Sequence, residues 1–215
     1  SIRALKLNGG MDKDNLGEEN EECLIGGCQN LVGHVENLKK FGVPIVISLN
    51  RFPTDTDKEI DMIARLAEVM GVKFAVCDSY AKGGAGAVEL AKVVKETIET
   101  EKTDLKFIYD LNDDIKDKIT KLAVEYYGAG SVEFSEQALK RLHQIEKLVK
   151  GLPVCVAKTQ YSFSDDPTLL GRPTDFTFHV SDVEYRAGAG FVVVLSNSML
   201  LMFGLPKVPN ACKMT

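Results

Sequence analysis

The sequence has 215 residues, 45% of them hydrophobic and 27% charged, which is ordinary for a soluble globular protein with enough material for a core. A net charge of −5 argues against a general nucleic-acid binder, because such proteins present a basic face. The apolar runs are strand-sized and predict no membrane span, while five cysteines without a CxxC pair predict reduced thiols in a cytoplasmic protein.

Residues 1–110 are predicted to form an α/β segment around a parallel sheet. Residues 1–20 are polar and predict no self-standing element. Thr56 and Glu59 have the spacing of a capping box, which predicts the start of a helix. Helices alternate with short apolar runs, an order typical of a parallel sheet with right-handed crossovers. The predicted elements are helix 27–41, strand 43–49, a helix from Thr56 to Gly71, strand 72–77, helix 87–98 and strand 105–109.

Residues 111–215 are predicted to form an α+β segment with a pair of helices, short strands and a long polar loop. Ser135 has the position of an N-cap for the second helix. The loop spans residues 158–175, and loops of this length inside a compact domain are usually functional or lie at an interface. The predicted elements are helix 115–126, a helix from Ser135 to Val149, strands 152–157, 176–180 and 190–195, and an extended tail over 204–209.

Two loops that follow neighbouring predicted strands form the candidate site. They span residues 50–56 and 78–86, and the carboxyl ends of neighbouring parallel strands are where open α/β sheets bind ligands. Phe52 and Tyr80 each lie just beyond a strand end. Two aromatic rings so placed can hold a planar ligand by stacking, although either ring can instead cover the core.

The same loops carry residues suited to an anion. Gly83 and Gly84 let backbone N–H groups approach a ligand at a helix N-terminus, and Lys82 adds a positive charge; a flexible turn is the alternative interpretation. Arg51 can hold a phosphate or carboxylate, or form a structural ion pair. The sequence contains no G-x-x-x-x-G-K-[ST] motif, so these residues do not form a P-loop.

Several strings of the sequence carry a resemblance to a known family. They are NLVGHVENLKKFGVPIVISLN at 30–50, RFPTDT at 51–56, AKGGAG at 81–86, AKTQYSFSDDP at 157–167, GAGF at 188–191 and GLPKVP at 204–209. In this order, along essentially the whole chain, they resemble formate–tetrahydrofolate ligase. The chain starts at Ser1 without a Met, and the resemblance implies that it is roughly the C-terminal two-fifths of such an enzyme.

The resemblance implies an ATP-dependent ligase that formylates tetrahydrofolate at N10 from formate, through formyl phosphate. It also implies a P-loop-NTPase-like fold, a homotetramer, and ATP and Mg²⁺ bound mainly by an N-terminal region that is not in this chain. The isolated chain would then be inactive, and no residue in it is an obvious catalytic base.

The resemblance also assigns the two loops to substrate binding. In the family, an aromatic residue of the NRFP loop and a Trp of the WAKGG loop stack on the pterin ring. Those positions are Phe52 and Tyr80 here, so Tyr stands where the family usually has Trp. Phe203 likewise stands where the family usually has Pro. The implied substrate-binding residues are Asn50, Arg51, Phe52, Tyr80, Lys82, Gly83 and Gly84.

Two other functions remain open from the residues. The chain can be a non-catalytic scaffold or assembly fragment whose long loop and tail contact other subunits. It can also bind a purine base, because Asn50-Arg51 and the 79–82 segment resemble the base-reading loops of GTP-binding proteins. The N-K-x-D pattern of those proteins is not met, since Pro53 occupies the Asp position.

Overall fold

Six strands form two sheets in the part of the chain that the computed structural model describes, which is residues 1–197 with Met199, Val208 and Cys212. Two strands form the first, parallel sheet, and four form the second, mixed sheet. The expectations for Phe203 and for the tail, except at Val208, lie outside the described residues.

The first sheet and its helices confirm most of the predicted order in the first half. Thr56 and Glu59 form the predicted capping box, with the Glu59 backbone N–H 3.2 Å from the Thr56 hydroxyl. Val46 pairs with Lys73 and Asn50 with Cys77, so the two strands run in parallel. The elements are α1 (Ile2–Asn8), α2 (Glu21–Lys40), β1 (Val46–Asn50), α3 (Asp57–Val69), β2 (Lys73–Cys77), α4 (Ser79–Lys82) and α5 (Val88–Thr100), with 3₁₀ turns at Lys13–Asn15 and Gly83–Ala87.

The predicted third strand, 105–109, is wrong. The structure has no strand there, and Leu105 and Phe107 are 56% and 72% exposed. Two backbone hydrogen bonds, from Asp104 to Gly42 and from Lys106 to Phe41, attach this segment to the turn after α2. Its apolar and aromatic residues are typical of a strand. The neighbouring segment is a turn, however, and a turn cannot continue the hydrogen-bond pairing of a sheet. The parallel sheet therefore has two strands within the described residues.

Helix α1 was not predicted, and α2 begins earlier than expected. The Asn20 side chain caps α2 by accepting from the Cys23 backbone N–H at 2.9 Å, so the helix includes the residues before Gly27. The two helices lie so close that a Cβ on Gly27 would be 1.7 Å from the Leu5 carbonyl oxygen. Seven residues are too few to show a helical period, which is why α1 left no clear pattern in the sequence.

The second sheet carries the larger core of the protein. Its strand order is β3-β5-β6-β4, with β5 antiparallel to β6 and the outer pairs parallel. Ser135 caps α7 as predicted, by accepting from the Ala138 backbone N–H at 3.0 Å. Strand β3 was not predicted. The elements are α6 (Ile115–Lys121), which continues as a π-helical turn (Leu122–Tyr126), β3 (Ser131–Phe134), α7 (Glu136–Ile145), β4 (Val154–Ala157), β5 (Thr177–Arg186) and β6 (Phe191–Ser196).

No helix in the described part of the chain is long and apolar enough to cross a membrane. The five cysteines are free thiols. Cys155, in β4, is exposed.

Candidate functional site

The two candidate loops begin side by side at one edge of the first sheet. Asn50 is paired with Cys77 in the last register position, and the Arg51 backbone N–H donates to the Cys77 carbonyl at 3.0 Å. This bond extends the strand pairing by one residue into the loops. The structure therefore places the start of both loops at the carboxyl end of the sheet, as the sequence predicted.

The first loop is held by a buried carboxylate that the sequence analysis missed. Asp55 is 6% exposed, and its Oδ2 accepts from the Phe52 backbone N–H at 2.8 Å. The Asp55 backbone N–H in turn donates to the Phe52 carbonyl at 3.0 Å. These two bonds close the loop on itself, and the capping box begins α3 at the next residue, Thr56. Phe52 is therefore fixed through its backbone and stays partly exposed.

Asn50 and Arg51 have different surroundings. The Asn50 side chain is exposed and makes no hydrogen bond to another described residue. An Arg51 guanidinium nitrogen lies 3.2 Å from the Asp57 carboxylate, which is 91% exposed. The structural ion pair that was the alternative for Arg51 is thus present, but exposed pairs contribute only about 0–1 kcal/mol. A ligand anion can compete for this guanidinium.

The second loop presents its aromatic ring to solvent. Tyr80 lies in the single helical turn α4 and is 88% exposed. The Lys82 ammonium is 2.8 Å from the Asp78 carboxylate, so the predicted cation already has a partner. The Asp78 backbone N–H donates to the Gly86 carbonyl at 2.9 Å, which closes the loop at its base. Tyr80 is not a lid on the core, which removes one of the two interpretations of this ring.

The glycines of the second loop have separate roles. Gly83 has φ +57°, where other residues are strained, and a Cβ on Gly86 would lie 2.2 Å from the Asp78 carbonyl oxygen. The fold of the loop requires both. A Cβ on Gly84 would meet nothing within 4 Å, so Gly84 leaves open space beside the turn.

A contact between a cation and an aromatic ring brings an unpredicted residue to the site. The Arg3 guanidinium carbon, on α1, lies 5.2 Å from the centroid of the Phe52 ring. A cation at this distance over a ring face is attracted by the ring quadrupole. No signal in the sequence could have found this contact, because residues 1–20 predicted no element and the two residues are far apart in the chain.

The thiol of Cys77 lies where β2 meets the second loop. Its Sγ is 3.4 Å from the Ser79 hydroxyl oxygen, and this hydrogen bond lowers the pKa of the Cys77 thiol below its usual value. Among the described residues, no three His, Cys, Asp or Glu side chains cluster in a way that could hold a metal ion.

Comparison with known proteins decides the family. A sequence model described as formate–tetrahydrofolate ligase matches residues 1–215. The chain belongs to this family. It is 51% identical over 216 residues to formate–tetrahydrofolate ligase of Campylobacter curvus (strain 525.92) and 49% identical over 216 residues to that of Campylobacter concisus (strain 13826). Each alignment covers 100% of this chain but 39% of the relative, so the chain spans about two-fifths of the length of these ligases.

The long loop of this ligase-family chain is organised around Lys158, the residue that follows β4. The Lys158 ammonium donates to the carbonyls of Thr159, Ser162 and Ser164. Burial lowers the pKa of Lys158 to about 8, although the nearby Asp165 carboxylate opposes this shift. At pH 7 the amine is still protonated and can make all three bonds. That the loop is functional or lies at an interface stays a prediction.

Two cavities of the described residues lie away from the two candidate loops. One, of about 620 Å³, lies between the start of α6 and α7 and is lined by residues such as Lys116, Leu139 and His143. Another, of about 260 Å³, lies beside the long loop and is lined by His34, Tyr127 and Lys158 among others. At the candidate loops, Tyr80 is exposed and Phe52 is partly exposed.

Proposed function

We propose that the whole protein is an ATP-dependent ligase that formylates tetrahydrofolate at N10 from formate, and that this chain supplies the clamp for the folate ring. The observation that carries the proposal is the pairing of Asn50 with Cys77, which starts both aromatic loops at the same sheet edge. The partly exposed Phe52 and the exposed Tyr80 would form the two walls. Stacking on each ring contributes about 0.5–1.5 kcal/mol beyond the area buried.

The polar residues of the loops would hold the rest of the ligand. Arg51 and Lys82 are paired with Asp57 and Asp78, and one member of each pair is well exposed. A carboxylate or phosphate of the ligand can replace such a partner at little cost. The exposed amide would come from Asn50. The open backbone beside the ring would come from Gly83 and Gly84.

The phosphate chemistry would lie in the part of the enzyme that this chain does not span. The sequence has no P-loop motif, and the chain spans about two-fifths of the length of the ligases that it matches. We therefore place ATP, Mg²⁺ and formyl phosphate in a P-loop-NTPase-like remainder, with which this chain would complete the crevice. The protein would be cytoplasmic and homotetrameric, with residues 1–110 and 111–215 as its two segments here. Catalysis would consist of positioning and electrostatic stabilisation of the transferring groups.

Calorimetric titration with tetrahydrofolate tests the clamp. The wild-type chain should bind weakly, and Phe52→Ala should bind at least about tenfold more weakly because one stacking face is lost. Val69→Ala, an 84% exposed apolar residue of α3, is the matched control and should bind like the wild type. If Phe52→Ala leaves binding unchanged, the clamp is wrong. If no variant binds, the assembly role is favoured, and competition by ATP would favour a purine site.

A separate assay tests the proposal that the phosphate chemistry lies outside this chain. The purified 215-residue chain, given ATP, Mg²⁺, formate and tetrahydrofolate, should form no product. Any turnover would show that the phosphate site lies within this chain.

A further inference from the structure

The Arg3 guanidinium lies over the ring of Phe52. Among the described residues, it is the one charged group from outside the two loops that does so. It makes no ion pair and no side-chain hydrogen bond with another described residue. Arg51 and Lys82 of the two loops, by contrast, are each paired with a carboxylate. The contact that the structure shows for the Arg3 guanidinium is the one with the Phe52 ring.

The helix that carries Arg3 is anchored beside the first loop. Lys6 lies three residues further along α1, on the same helix face. Its ammonium is 3.0 Å from the Glu59 carboxylate, and both side chains are buried. Glu59 also closes the capping box that ends the first loop. The buried pair thus fixes α1 against the loop, and Arg3 reaches Phe52 as a consequence.

Phe52 is thereby held at two points. The buried Asp55 carboxylate accepts from its backbone N–H at 2.8 Å, and the Arg3 guanidinium lies over its ring at 5.2 Å. Asp55 fixes where the side chain leaves the loop, and Arg3 covers one of the two ring faces. A planar ligand can then stack on the opposite face alone.

We propose that Arg3 is a positioning residue for the ligand-binding ring: it covers one face of Phe52 and so presents the other face to the ligand. This proposal rests on the ring clamp of the proposed function. Arg3 acts through Phe52 and does not itself contact the ligand. An arginine suits this role because its planar guanidinium stacks on an aromatic face, which a compact ammonium does less well.

The test is a double-mutant cycle in the 215-residue chain, with Arg3→Met, Phe52→Leu and the double variant titrated with tetrahydrofolate. Arg3→Met should raise Kd about three- to tenfold, and Arg3→Lys should recover part of the loss. In the Phe52→Leu background, Arg3→Met should change Kd by less than about twofold, because the residue acts through the missing ring. Arg65→Met, on α3, removes an exposed charge without an ion pair and should leave Kd unchanged.

A readout without ligand checks the contact itself. In the wild type, the Arg3 δ-methylene protons should be shifted upfield in the NMR spectrum by the ring of Phe52, and Phe52→Leu should abolish the shift. Absence of that shift overturns the proposal, whatever the titrations give. Thermal midpoints close to the wild-type value would show that the binding losses do not come from unfolding.

The titrations separate this proposal from the proposed function. If Phe52→Leu weakens binding and Arg3→Met does not, the positioning role is wrong and the clamp stands. If Arg3→Met weakens binding equally with and without Phe52, Arg3 contacts the ligand directly and the positioning role is again wrong. If Phe52→Leu has no effect, or the wild type does not bind, the clamp fails and the role of Arg3 in it fails too.

Discussion

Lys6 and Glu59 form an ion pair with 3.0 Å between Nζ and Oε1, and both side chains are almost fully buried, at 1% and 0% exposed. The pair joins three separate parts of the chain. Lys6 also donates to the Glu18 carbonyl at 2.6 Å, and Glu59 accepts from the Asn20 backbone N–H at 3.2 Å. Helix α1, the start of α2 and the start of α3 therefore share one buried polar centre.

Removing one member of this pair should destabilise the protein strongly. Lys6→Met leaves the Glu59 carboxylate buried without its counter-charge, which typically costs about 3–5 kcal/mol. Lys92→Met, which breaks the exposed pair with Glu89, should cost less than about 1 kcal/mol. Urea unfolding of both variants measures the difference. Equal losses would show that the buried pair contributes no more than a surface pair.

Gly27→Ala should separate α1 from α2. The added Cβ would lie 1.7 Å from the Leu5 carbonyl oxygen, a backbone atom that cannot move without its helix. We expect a loss of about 1–3 kcal/mol in the free energy of unfolding, typical of overpacking. Gly188→Ala is the control, because a Cβ there meets nothing within 4 Å. A Gly27→Ala protein as stable as this control would contradict the close contact of the helices.

Tyr80→Ala should separate binding from stability. Since the side chain is 88% exposed, its removal should change the free energy of unfolding by no more than about 0.5 kcal/mol. If Tyr80 is a wall of the clamp, the same variant should lose affinity for tetrahydrofolate. Unfolding and titration of one preparation give both values. A variant with normal affinity would remove Tyr80 from the site.

Lys158 should give the protein a distinct pH dependence. Its pKa is lowered to about 8 in the folded state, so the unfolded chain binds the proton more tightly. Between about pH 8 and the ordinary lysine pKa, the folded state has lost this proton while the unfolded state still binds it. The free energy of unfolding therefore rises with pH over this range. Below about pH 8 both states bind the proton, so the contribution of Lys158 to the free energy of unfolding does not change with pH.

The measurement is the free energy of unfolding of wild type and Lys158→Met between pH 7 and pH 10.5. The wild type should gain stability relative to the variant above about pH 8. The absolute loss in Lys158→Met does not matter, because the comparison uses slopes. Parallel slopes over this range would mean that the folded-state pKa of Lys158 is not lowered.

The sequence predicted the parts of the fold that depend on neighbours in the chain. The capping box at Thr56 and the short apolar runs of β1 and β2 are local signals, and the structure confirms them. Strand β3 is four residues long and pairs with residues 177–180, so its pattern is too short and its partner too distant to detect. The wrong prediction of a strand at 105–109 has the opposite cause. The local residues are typical of a strand, but the segment bonds to a turn and not to another strand.

At the candidate site, too, local features could be predicted from the sequence and contacts between distant residues could not. Strand-end geometry predicted that the loops of Phe52 and Tyr80 start at one sheet edge, and the structure confirms that placement. That these loops bind a ligand stays a prediction. The contacts that fix Phe52 were not visible, because Asp55 acts through a buried hydrogen bond and Arg3 reaches the ring from another helix. Such contacts depend on how helices dock, which periodicity and spacing do not encode.

The two aromatic residues of the candidate site are held very unequally, and in the proposed clamp this would affect the thermodynamics of ligand binding. Phe52 is held by the Asp55 carboxylate and the Arg3 guanidinium without a ligand, so stacking on it in the proposed clamp would lose little conformational entropy. Tyr80 lies on a single exposed helical turn, and its side chain would lose conformational entropy if it packed against a ligand ring. In the proposed clamp the entropic cost of enclosing a ligand would therefore fall mainly on Tyr80, and replacements at Tyr80 would change affinity without changing the fold.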